Sequence, residues 1–463
     1  MRLRFPLAGA VALAAMSTAL VAAPSLGADT YDTGDPTISP ALIDEIENNA
    51  SVRSIIELKP GENAAAVAAD LEQASAGSRV AKTAESSNFF VAKVDRASLD
   101  KLRKDSRVQA VYKDELSVAS LDASTQLIRS DRANESGWTG KGTTVAVLDT
   151  GIDRDHPFFA GRIVDEACFS TSDTGDGTVS LCPNNQPNQS GPGAANAEIP
   201  QCLVAGKNEC SHGTHVAGIA AGRRAAGAPS DGVAPAAGLL PIQVFSRVDR
   251  ALTCASSGAS TPCYLSYTSD QKLALEYVAR VARQHNVAAV NLSLGTSRAH
   301  QVHCDAESSA GALKSNFDAL VGLGVAPVVA AGNAGHANAV ASPACVSSAV
   351  AVGATDDRSS IAVFSNRGAL LDLLSPGVAI NSAVPDNTYG EKSGTSMAAP
   401  HVAGAFAVMK QAYPNFTVAQ ALQRLQATGT NIAYSAAGTR TTTSRINLAR
   451  ATSASRPNAD PRV

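Results

Sequence analysis

Five short apolar runs, each closing in a small or polar residue, punctuate the chain after Gly142: "TTVAVLD", "LLPIQVF", "VAAVNLSLG", "VAPVVAAGN" and "AVAVGA". A run of that length crosses a sheet once, and without polar alternation both of its faces must be covered. Helix-like segments lie between the runs. In "SDQKLALEYVARVARQHN" the residues Leu273, Ala274, Tyr277, Val278 and Val281 share one face. Buried strands alternating with amphipathic helices point to an α/β domain with a mainly parallel sheet and helices on both faces. Ligand sites in that architecture gather at the carboxyl ends of the strands. Chemistry is therefore to be sought in the residues that close each run.

The chain ahead of this region has a different texture. Arg2 and Arg4 precede an apolar run from Leu7 to Ala23 and then "APSLGADT", the layout of an export signal over residues 1–28. Nothing later is apolar for long enough to span a bilayer, so the expected location is extracellular. Residues 29–50 are polar and irregular. Residues 51–120 read as a small module: strand "SIIEL", helix "KPGENAAAVAADLEQA", a strand at Arg79–Thr83, strand "NFFVAKV", helix "ASLDKLRKD" and strand "VQAVY". That β-α-β-β-α-β order is a ferredoxin-like α+β arrangement. The polar stretch "KDELSVASLDASTQ" follows without strong helix or strand pattern, as a protease-accessible linker would. The α/β domain spans 121–452, and 453–463 form a polar tail.

Composition narrows the partners. A net charge of −3 gives no footing for nucleic acid or an anionic membrane. All eight cysteines lie after residue 167 and none forms a CxxC pair, so in an exported chain they read as disulfides. Cys254 and Cys263 flank a turn-rich loop and form an easy local bridge, while Cys304 and Cys345 follow segments on the same side of the sheet. Cys168, Cys182, Cys202 and Cys210 are expected to pair among themselves, in an order left open.

Four residues stand where the architecture puts chemistry. Asp149 ends "VAVLD", where a carboxylate backed by apolar chain is costly unless a cation or donor faces it; Asp153 is the turn residue after it. "SHGTHVAGIAAG" supplies His212 at a helix mouth and His215 inside it; no Glu stands between them, so the zinc motif H-E-x-x-H is absent and His215 is structural. Asn333 closes "VVAAGN", and its amide can donate to an oxyanion. Ser396 lies in "EKSGTSMAAPHVAG", where Ser393 and Thr395 already serve as caps. Pro400 has no N–H to return to the carbonyl of residue 396, so the first helical turn cannot be regular, and the small neighbours leave room for another chain. A hydroxyl becomes a nucleophile only with a base and an orienting acid. The order Asp149, His212, Ser396 and the surrounding G-x-S-x-A differ from the α/β-hydrolase order and its G-x-S-x-G elbow, which disfavours a secreted lipase or esterase.

"AVLDTGID", "SHGTHVAGI", "VNLSLG", "AAGN" and "GTSMAAPHVAG", in that order over about residues 121–450, closely resemble the subtilisin-like serine proteases. The resemblance implies a subtilisin-like sheet and a triad of Asp149, His212 and Ser396 with Asn333 as oxyanion donor. It also implies substrate binding along Ser293, Leu294 and Gly295 and at Ala331 and Gly332. By the same resemblance residues 51–120 are a prodomain, at once folding chaperone and temporary inhibitor, and proteins or peptides are the substrates. An inactive binding protein on the same fold is the alternative, but no triad or oxyanion position is substituted. Two departures stand out. Phe158, in "HPFF", occupies a place where relatives that bind calcium tightly carry Asp, so no cofactor is expected. Residues 166–210 look like an insertion rich in Gly, Pro and Asn, pinned by its cysteines. Residues 291–304 and 330–355 contain no Asp or Glu, so the residue before the scissile bond is expected to be apolar or small and uncharged. The first cut is expected between Glu115 and Gln126, made by Ser396 of the same chain.

Overall fold

The computed structural model describes residues 36–38, 42–43, 45–46, 51–59, 61–74, 79–83, 88–114, 116–119, 126–257, 259–306 and 309–453. The expected export signal, most of 29–50 and nearly all of the tail lie outside them. Among the described residues no helix is long and apolar enough to cross a membrane.

The N-terminal module has the expected element order. Strand Val52–Leu58 is central, antiparallel to Val108–Lys113 on one side and Phe89–Val94 on the other, with Arg79–Thr83 outermost. Side chains alternate across a strand. Val52, Ile56 and Leu58 accordingly meet Val67, Leu71, Leu99 and Leu102 of the module's two helices, Ala64–Ala74 and Arg96–Leu102. Segment 29–50 is less irregular than its composition suggests. Thr37–Ile38 adds a parallel edge strand to Val108–Lys113, and Leu42 and Ile46 enter the module's core.

The α/β domain is built on a ten-stranded sheet. Eight strands run parallel, in the spatial order Ala167–Phe169, Gly238–Gln243, Thr144–Asp149, Val287–Leu292, Ala326–Ala330, Val350–Thr355, Leu373–Pro376 and Thr439–Arg445, with an antiparallel strand at each edge. The continuous apolar runs are explained by cover on both faces. Val145 and Val147 join one core with Val216, Val402 and Phe406; Ala146 and Leu148 join the other with Val278 and Phe317. Strand Thr144–Asp149 lies between Gly238–Gln243 and Val287–Leu292, both later in the sequence, so the winding reverses there. A crevice opens at the carboxyl end of such a strand, and Asp149 is its last residue.

A second sheet of five strands crosses the mouth of that crevice: Leu294–Gly295, Leu116–Ala119, Cys263–Tyr267, Ser246–Val248 and Thr178–Ser180. Two expectations change here. Leu116–Ala119, expected as patternless linker, is a strand, because two flanking strands supply the hydrogen bonds its composition does not predict. The insertion is bridged as Cys168–Cys182 and Cys202–Cys210, yet it is no structureless loop. Ala167–Phe169 and Asn188–Ser190 widen the main sheet, and Thr178–Ser180 backs the crossing one. The other two bridges, Cys254–Cys263 and Cys304–Cys345, are those expected.

Candidate active site

Ser396 is the second residue of helix Thr395–Ala412, which runs unbroken through Pro400. The expected irregular first turn does not occur, and the reason is local chemistry. The Ser396 carbonyl, without a returning N–H, accepts instead from Ser293 Oγ at 2.6 Å, and Asn291 Nδ2 donates to that hydroxyl oxygen at 2.9 Å. The small residues also serve another purpose than the one expected. Met397, Ala398 and Ala399 are fully buried. A Cβ on Gly404 would come 2.6 Å from the carbonyl oxygen of Ala220, on the helix that carries His212. Small side chains let these two helices touch; they do not admit a visiting chain.

His212 begins helix Ser211–Ala221 and faces the end of the Asp149 strand. Its Nδ1 lies 2.7 Å from Asp149 Oδ1, an oxygen that also accepts from the Thr150 amide at 2.7 Å. Both residues are buried, 3% and 1% exposed. An acceptor-only carboxylate accepts the hydrogen bond of Nδ1–H, which keeps the proton on Nδ1 and leaves Nε2 as the basic nitrogen. Thr150 Oγ1 accepts from Gly213 N and donates to the Cys210 carbonyl, both at 2.9 Å, stitching the strand end to the helix start. Only glycine fits at 213, since a Cβ there would lie 2.2 Å from the Gly151 carbonyl oxygen. His215 is held at 3.1 and 3.0 Å from the carbonyl oxygens of Ile380 and Gly390. Burial, followed by the nearby Lys392 and His212, pushes its pKa down to about 3. It is a neutral structural histidine. Asp153 is a turn residue, accepting from His156 N at 3.0 Å.

The Ser396 hydroxyl lies 3.2 Å from the Ser293 carbonyl oxygen. That hydrogen bond would have to be exchanged for the hydroxyl to pass its proton to His212. Asn333 is fixed by its oxygen, which accepts from Thr395 N at 2.8 Å and Thr395 Oγ1 at 3.0 Å; Gly332 N donates to the same Thr395 hydroxyl at 3.0 Å. With Oδ1 so held, the amide NH2 is on the opposite edge. Asn333 and Ser396 line one cavity of about 220 Å³ with Leu294, Gly295, Ala330, Gly332, Ala341 and Asn366, and no carboxylate is among its described walls. Gly332 takes φ +100° and a Cβ there would meet Asn366 Nδ2 at 2.4 Å. Ala331, expected in the binding set, is fully buried in the core between two residues that do line the cavity. Sequence reading missed Asn366 and treated Thr395 only as a cap.

Along the groove leading to Ser396, backbone Leu116–Ala119 lies antiparallel to Leu294–Gly295, with Ala119 opposite Leu294 and Val118 opposite Gly295. Its other edge pairs with Cys263–Tyr267. Phe158 packs its ring against Gly222 and Tyr389.

Comparison with known proteins agrees with this geometry. The sequence pattern of the Subtilase family matches residues 140–452. Subtilisin E of Bacillus subtilis (strain 168) is 32% identical over 366 residues, 78% of this chain and 80% of that protein. Subtilisin DY of Bacillus licheniformis is 33% identical, over 66% of this chain and 90% of its own length. Subtilisin Savinase of Lederbergia lenta is 34% identical over the same two shares, 66% and 90%.

Proposed function

The chain belongs to the subtilase family of serine proteases, and from that premise we propose that it is a secreted endopeptidase made as a self-processing zymogen. His212 takes the Ser396 proton as the hydroxyl attacks a peptide carbonyl, then gives it to the leaving amine. Asp149 holds the histidine tautomer and stabilises the imidazolium. Asn333 and the Ser396 amide stabilise the tetrahedral oxyanion.

One observation carries the zymogen reading: a peptide backbone, Leu116–Ala119, is already seated as the middle strand of the groove. Residues 51–114 are then a prodomain that lies on the enzyme, and its tail is the first substrate and afterwards the inhibitor. The register refines the cleavage site. The described backbone reaches Ala119, opposite Leu294 and so one position short of Ser293, whose carbonyl accepts from the Ser396 hydroxyl. The cut therefore falls between Ser120 and Leu121. Expressed alone, the Ser396→Ala chain should accumulate uncut, whereas wild type yields a new N-terminus at Leu121. Maturation of the alanine variant at the same place and rate would overturn self-processing.

A further inference from the structure

Strand Val52–Leu58 has no exposed residue, although only one of its faces meets the module's own helices. The other face carries Arg53, Ile55 and Glu57. Ile55 forms an apolar patch with Phe89, Tyr112 and, from the enzyme part, Leu273 and Ala312. On one side of that patch lies a buried ion pair with the enzyme part, and on the other a buried arginine reaches a half-buried aspartate across the contact, with the opposite polarity. Glu57, 4% exposed, accepts from Lys272 Nζ at 2.5 Å, and the fully buried Lys272 also reaches Asn316 Oδ1 at 2.9 Å and the Ala312 carbonyl at 3.2 Å. Arg53, 6% exposed, bonds Asp114 of its own module at 2.7 Å and reaches Asp173 of the 166–210 insertion at 3.4 Å. Its guanidinium lies 4.1 Å over the ring of Tyr267, which borders the substrate groove and is held by Asp176 of the same insertion at 2.7 Å.

We propose that these two pairs form an electrostatic lock between the prodomain and this catalytic domain, and that the insertion is the half of the lock that reads Arg53. The lock sets how fast the cleaved prodomain leaves, and hence when activity appears. This rests on the zymogen reading above. The apolar patch alone would accept any apolar surface of similar shape. A buried charge that meets no partner is heavily penalised, so a module without a cation at 53 and an anion at 57 is rejected. Close pairs of this kind act mainly on dissociation.

The full-length chain tests this. After self-cleavage the non-covalent complex is purified and diluted, and prodomain loss is followed by the rise of peptidase activity and by size-exclusion chromatography. Glu57→Lys and Lys272→Glu should each speed release about a hundredfold or more, and the two together should return it to within about tenfold of wild type. If reversal at position 57 prevents folding, Arg53→Met and Asp173→Asn decide. Each should shorten the lag, and the double variant should release no faster than Arg53→Met alone. Unchanged release, or additive effects in either pair, would overturn the lock. Failure of the wild-type chain to cut at its linker would instead overturn the zymogen reading.

Discussion

The bond from Ser293 to the Ser396 carbonyl makes a prediction that isolates one cause. Position 400 is proline, so the carbonyl of residue 396 has no helical donor, and Ser293 Oγ at 2.6 Å takes that place. Ser293→Ala leaves a buried acceptor unsatisfied, which costs about 1–3 kcal/mol. It also strips Asn291 Nδ2 of its acceptor, in a residue whose Oδ1 already lacks a partner. A total near 3 kcal/mol, or roughly 4 °C in Tm for a domain of this size, is expected. The measurement uses Ser396→Ala chains, which keep the carbonyl but cannot digest themselves. Pro400→Ala restores an N–H four residues on, so in that background Ser293→Ala should cost at least about 1 kcal/mol less. The gain in unfolded-chain freedom on losing proline is common to both arms and cancels. Equal costs in the two backgrounds would refute the reasoning.

Three further outcomes follow from the site. Asn333→Ala should lower kcat about 10²–10³-fold with little change in KM, a magnitude borrowed from a subtilisin; an unchanged kcat removes the amide from the oxyanion site. Peptide-library profiling should find apolar or small uncharged residues before the scissile bond, because the described walls of the 220 Å³ cavity offer a cation no carboxylate; strict Arg or Lys selection contradicts this. His215, pushed down to about 3 from the ordinary 6.5, is neutral in the fold, so its contribution is intact above pH 6.5 and lost as pH falls below it. Urea unfolding of the Ser396→Ala chain should weaken by up to about 1.4 kcal/mol per pH unit in that window, and His215→Gln should flatten the slope; a parallel slope in both chains assigns the acid sensitivity elsewhere.

How much of this was legible in the sequence depends on which surface covers each residue. Asp149 and Asn333 could be found because each closes an apolar run, and a run buried on both faces announces its own end. Ser293 was named only as substrate-binding; its bond to the Ser396 carbonyl was not legible, since that carbonyl lies 103 residues away and only the packed helix brings them together. In helix Thr268–Val281 the stripe through Leu273 and Val278 was readable, but Ser269, Asp270 and Lys272 looked like a solvated first turn and are all buried. Asp114 and Glu57 of the N-terminal module cover Ser269 and Lys272, and Thr171 of the insertion meets Asp270, all surfaces outside the stripe whose pattern was being read. Arg53 and Glu57 present the same case from the other side. Their alternation with Ile55 gives an ordinary mixed face for a strand exposed on one side, and charge at two of three positions argues for water. Burial of that face requires partners of matching sign: Arg53 has Asp114 of its own module and, 120 residues away, Asp173, and Glu57 has Lys272, 215 residues away. A face that reads as solvent-exposed and is nonetheless fully buried, with each charge met, marks a contact selected for its match and not for its apolar area.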